Sequence, residues 1–154
     1  MVNLKKVMLV SLLVVSVAAP AFASRDLIEL MRSDLRTEKM GIVTQAMHLS
    51  DEQADKFWPV YKEYESQMVK LNDQRVELIK EYASQYDTMT NETAKSLIDR
   101  AFKLQEARSK TLKKYVSKMG KSIDMKTAAR WAQVEQALNS AIDLQVASQL
   151  PLLQ

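Results

Sequence analysis

From residue 57 to residue 82 the side chains Phe57, Tyr61, Tyr64, Met68, Leu71, Leu78 and Tyr82 recur at alternating steps of four and three, with Arg75 filling the one gap. That rhythm keeps side chains on one stripe of an α-helix and is the spacing of helices packed side by side. A strand would repeat every second residue, and no such pattern occurs. Punctuation agrees. Two glycines and three prolines in 154 residues leave too few turns for an α/β sheet or a β-sandwich. The expected fold class is all-α: four helices with a long antiparallel helical hairpin, as a bundle or cradle.

Local signals place the ends. A first helix is expected over 25–47, with a seam of Ile28, Met31, Leu35, Ile42 and Ala46, and with Leu27 and Val43 beside it. Glu38 interrupts that seam and Gly41 weakens it. The second helix opens at Leu49-Ser50-Asp51-Glu52-Gln53, where Ser50 at N-cap and Gln53 at N3 make a capping box and Leu49 precedes it as a staple. Pro59 then either kinks this helix or divides it; the unbroken phase of the stripe favours a kink. The third helix is expected from Thr90-Asn91-Glu92, along Ala94, Leu97, Ala101, Leu104, Arg108, Leu112, Tyr115 and Met119, to Gly120 as its terminator. A short turn makes helices two and three antiparallel, each with one arginine, Arg75 or Arg108, on its apolar stripe. If they are buried on these stripes, carboxylates are expected to reach them across the hairpin or across a dimer interface. The fourth helix spans about 125–148, capped by Asp124 or Ser122, with Ala128, Trp131, Val134 or Glu135, Leu138 and Ile142 inward. It stops before Pro151, whose apolar tail could pack on the bundle.

The first 23 residues read as an address. Lys5 and Lys6 precede an apolar run from Val7 to Ala19, and Ala21-Phe22-Ala23 is a small-residue cleavage signal with Ser24 as the first mature residue. That run is shorter than the roughly 20 residues a bilayer span needs, so a signal peptide is preferred to an anchor. The expected organisation is a signal peptide at 1–23 and one all-helical domain at 24–154, with no stable membrane insertion after cleavage. Losing two lysines from 22 basic residues leaves 20 against 19 acidic ones, so the mature chain is near neutral. That balance and the export signal argue against nucleic acid as a partner. Export without a single cysteine points to a bacterial periplasm.

No residues frame a reaction. There is no glycine-rich phosphate loop, no cysteine nucleophile and one histidine, so an enzyme is not expected. His48 stands near Asp51, Glu52 and Asp55, but acids in a first helical turn serve the helix dipole, and no metal site is assigned. The scattered methionines read as core filler in preference to Cu(I) ligands or a haem ligand, and no cofactor is expected. Two features suit protein binding. Lys110, Lys114, Lys118 and Lys121 share a face of the third helix, with Tyr115 and Met119 interleaved; they form either a solvated face or a strip that steers acidic or unfolded partners. Trp58, one step round from Phe57, either packs at the kink or stands out as a recognition anchor.

The run Leu49-Ser50-Asp51-Glu52-Gln53 resembles the L-[ST]-x-x-Q motif of the Spy/CpxP family of periplasmic helical proteins. Where that family carries a second copy, this chain reads Ile123-Asp124-Met125-Lys126-Thr127, so it resembles a divergent member. The resemblance implies a signal peptide, four helices, and curved helical dimers, which would make the chain a homodimer. It also implies ATP-independent chaperoning of unfolded or envelope proteins, or restraint of an envelope-stress sensor kinase. Family members that bind metal use histidine-rich segments, which this chain lacks.

Overall fold

The computed structural model describes residues 37–153, all helix apart from short connections and the tail. The expected signal segment, and the part of the first helix carrying Leu27, Ile28, Met31 and Leu35, lie outside the described residues. Among the described residues there are four α-helices, a single 3-10 turn and no strand. The first helix, α1, is described over 37–47. It ends where His48 turns to φ 47°, the left-handed geometry that often closes a helix. Its inward face differs from the expected seam. Val43 and Met47 are buried, whereas Ile42 is 46% exposed. The stripe is set by Lys39, one turn before Val43, whose ammonium is held between Glu65 and Glu135.

Helix α2 (Asp51–Gln85) starts at the capping box: Gln53 N–H donates to Ser50 Oγ at 3.3 Å and Ser50 N–H to Gln53 Oε1 at 3.2 Å. It runs unbroken through Pro59, so the proline does not divide it. The cost is one missing donor to the carbonyl four residues back. After a 3-10 turn (Tyr86–Thr88), α3 (Asn91–Ser122) begins at Thr90, whose hydroxyl caps Thr93 N–H. Gly120 does not end α3, which continues to Ser122. The glycine serves close approach instead: a Cβ there would lie 2.8 Å from Met125 Cε, at the start of the next helix. Helix α4 (Met125–Gln149) is capped by Asp124, and the hydrogen bonds from Thr127 hold that carboxyl below its usual range.

The helix order makes α3 central. Its backbone lies close to both α2 and α4, while the Cα atoms of α2 and α4 stay more than 8 Å apart. Long side chains cross that gap. Tyr64 and Trp131 meet edge to face at 5.0 Å, Arg75 reaches Asp143 at 2.5 Å, and Tyr82 donates to the Pro151 carbonyl at 2.5 Å. These pairs advance together along α2 and α4, so the two helices run in the same direction. The core sits at the capped end: Val43, Met47, Phe57, Val60, Tyr61, Tyr64, Met68, Tyr115, Met119, Ala128 and Trp131. Phe57 stacks on Tyr61 at 5.6 Å, and Trp131 stands edge-on to both Phe57 and Tyr61.

Candidate functional site

Beyond Met68 the α2 stripe continues with Leu71, Arg75, Leu78 and Tyr82, but what faces it changes. Here α3 offers Ala94, Leu97, Ala101 and Leu104, α4 offers Val146 and Ala147, and Leu150 follows at the end of α4. Three alanines stand where the other half carries aromatic rings, and they leave a groove of about 530 Å³ between the helices. Its rim is apolar and open: Phe102 is 67% exposed and Ile98 is 49% exposed. The tail closes its outer end, where Tyr82 and Tyr86 donate to the carbonyls of Pro151 and Leu152.

The inner end of the groove is charged. Arg75 Nη1 and Arg108 Nη1 both donate to the same oxygen of Asp143, at 2.5 and 3.2 Å, and Arg108 Nη2 reaches Asn139 Oδ1 at 3.4 Å. The carboxylate that the two stripe arginines require therefore comes from α4 within the chain. One carboxylate bonds both guanidiniums directly, and Asn139 links Arg108 onward to the buried Glu135 carboxylate. Arg108 is 10% exposed, and its Nε has no hydrogen-bond partner among the described residues.

A second polar cluster lies in the packed half. Glu135 is wholly buried, and its Oε1 accepts from Lys39 Nζ at 2.6 Å, Tyr64 Oη at 2.8 Å and Asn139 Nδ2 at 3.3 Å. Burial, then the Glu135 charge, pushes the Tyr64 hydroxyl far above the usual tyrosine range. Tyr61 is raised too, by burial and then by Glu65 and Glu135. This cluster joins α1, α2 and α4 inside the core, and Asn139 links it to Arg108 at the inner end of the groove.

The residues singled out for partner binding are dispersed. Trp58 is half-buried, edge-on to Phe57 at 5.1 Å and Tyr61 at 5.5 Å, so it packs on the core. Tyr115 is buried with its ring 5.7 Å from Tyr64, and Met119 is buried as well. Neither interleaves with the lysines at the surface, because a helix turns about 100° per residue and carries them inward. Lys110 pairs with Glu106, Lys118 with Glu63 across the hairpin, and Lys114 lies 5.4 Å from the Tyr115 ring centre, while Lys121 is exposed. Leu49, Ser50 and Gln53 act as a helix start. Leu49 packs on the core, and Gln53 Nε2 reaches Thr127 Oγ1 at 3.5 Å, tying the beginnings of α2 and α4 together. The groove itself escaped the sequence reading. Its signal was the run of small residues at Ala94, Ala101 and Ala147, on stripes that elsewhere carry large side chains.

Among the described residues no three His, Cys, Asp or Glu side chains converge to hold a metal, and no helix is long and apolar enough to cross a membrane. No family model, curated protein or solved structure matches this chain.

Proposed function

We propose that the mature chain is an exported, periplasmic protein-binding protein that shields apolar segments of partly unfolded envelope proteins without nucleotide or cofactor. The observation that carries this reading is the open apolar groove with Phe102 and Ile98 exposed along its edge. Exposed apolar surface of this kind marks protein-interaction sites. Burying client side chains there gains roughly 25 cal/mol per Å² of apolar surface removed from water. The resemblance of the Leu49–Gln53 run to the Spy/CpxP motif supports the same reading. Purified mature protein is expected to suppress aggregation of a chemically denatured test protein in the absence of ATP. Phe102→Ser is expected to weaken that suppression while the helical circular dichroism stays unchanged. No suppression at several-fold molar excess would remove the reading. Recovery of one dominant envelope receptor in place of many clients would reassign the chain as an adaptor of a stress sensor.

A further inference from the structure

The groove also has the features of a small-ligand site, and these do not depend on the protein-holding reading. It is a cleft of about 530 Å³, within the roughly 300–1,000 Å³ usual for such sites, with apolar walls and polar groups gathered at one end. Along α3 it extends from Ala94 to Arg108, about 21 Å at 1.5 Å per residue. An extended peptide would bring an N–H and a C=O with every residue. Besides Arg75, Arg108 and Asp143 at the inner end, the walls offer only the Gln105 and the already bonded Tyr82 side chains to meet them. An unbranched hydrocarbon chain needs no such partners.

The inner end selects the head group. Arg75 and Arg108 share the single carboxylate of Asp143, and nine-tenths of the Arg108 side chain is buried with Nε unpartnered among the described residues. A buried guanidinium with an unused N–H gains from a further acceptor, and a carboxylate fits the guanidinium fork. The geometry points to a binding site for a long-chain carboxylate, a free fatty acid, with its acyl chain along the groove and its head group on Arg75 and Arg108.

The test is titration calorimetry of the mature protein with dodecanoate, dodecanol and dodecyltrimethylammonium, each below its micelle-forming concentration. The three share one chain and differ in head charge. Expected are saturable binding of one dodecanoate per chain and affinity at least about tenfold above the other two, the size of a charge-assisted contact. Arg75→Gln and Arg108→Gln should each reduce dodecanoate to the level of dodecanol. Ala101→Trp, which fills the groove and leaves both arginines in place, should abolish binding of all three with helicity retained. Equal affinity for the three head groups, or dodecanoate binding untouched by Ala101→Trp, would overturn the inference. Absence of saturable binding would overturn it too. Loss of aggregation suppression alone bears on the protein-holding reading and leaves this result standing.

Discussion

The two halves of the hairpin share their helices and their three-four stripe, yet they are filled differently. At the capped end α2 supplies Phe57, Val60, Tyr61, Tyr64 and Met68, all buried; beyond Met68 no α2 residue is. Helix α4 repeats the division, with Ala128, Trp131 and Glu135 buried and nothing buried after them. Periodicity therefore makes the rods and the facing side chains decide how tightly the rods close. Where Trp131 meets three rings of α2 the gap between α2 and α4 is filled; where Ala101 and Ala147 face Leu78 and Ile79 it stays open. The buried core is concentrated in one half and the open apolar groove in the other.

The largest effect should come from emptying the filled half. Trp131 is wholly buried, so Trp131→Ala should cost about 3–5 kcal/mol, read as a lower urea midpoint. A loss under about 1 kcal/mol would show that the aromatic end does not hold the bundle. Next comes the buried charge. Lys39→Met leaves the Glu135 carboxylate with only Tyr64 and Asn139 as partners, and should cost about 3 kcal/mol or more. Glu135→Gln should cost less, because Lys39 keeps Glu65.

The same half sets an alkaline limit. Tyr61 and Tyr64 are held protonated in the fold, above the ordinary value of about 10. Their contribution is complete below that value and is lost as pH rises from it toward their folded values. Urea midpoints should fall above about pH 10, and Tyr64→Phe should flatten that fall. An unchanged slope would place the sensitivity elsewhere.

What could be read in the sequence divides along the same line. The Ser50 and Asp124 caps, the α2 stripe and the α2–α3 turn are short-range chemistry, and they fold as read. The inward face of α1 lies one residue from the apolar seam of its sequence, because Lys39 is drawn inward by Glu65 and Glu135, carboxylates distant in the chain. Gly120 looked like a terminator because glycine commonly is one; the need for space beside Met125 arises only once α4 turns back. The arginines on the stripe do meet an acid, but it is Asp143 on α4, neither across the hairpin nor across a dimer interface, and only the placement of α4 selects it. The groove was hidden for a related reason. An alanine on a stripe reads as core, and only the distance between α2 and α4 turns it into empty space.

Asp143 stands at the boundary between the halves. Asp143→Asn leaves Arg75 and Arg108 facing each other with one amide between them, and should cost about 1–3 kcal/mol. It should also strengthen dodecanoate binding, since the arginines would lack a carboxylate of their own. Weaker binding in this variant would mean that Asp143 orients the guanidiniums more than it competes for them.

The smallest stability effect belongs to the rim. With Phe102 67% exposed, only about a third of its ring is withdrawn from water, and full burial of a phenylalanine is worth roughly 1.5–3 kcal/mol. Serine and phenylalanine have similar helix propensities, so the backbone contributes little to the difference. Phe102→Ser should therefore shift the unfolding free energy by under about 1 kcal/mol, against several for Trp131→Ala. The two variants separate what each half does. Trp131→Ala should lower the unfolding midpoint while the remaining folded protein still suppresses aggregation, and Phe102→Ser should keep the midpoint and lose suppression. A Phe102→Ser protein as unstable as Trp131→Ala would mean that the open half supports the fold, and the division drawn between the two halves would then fail.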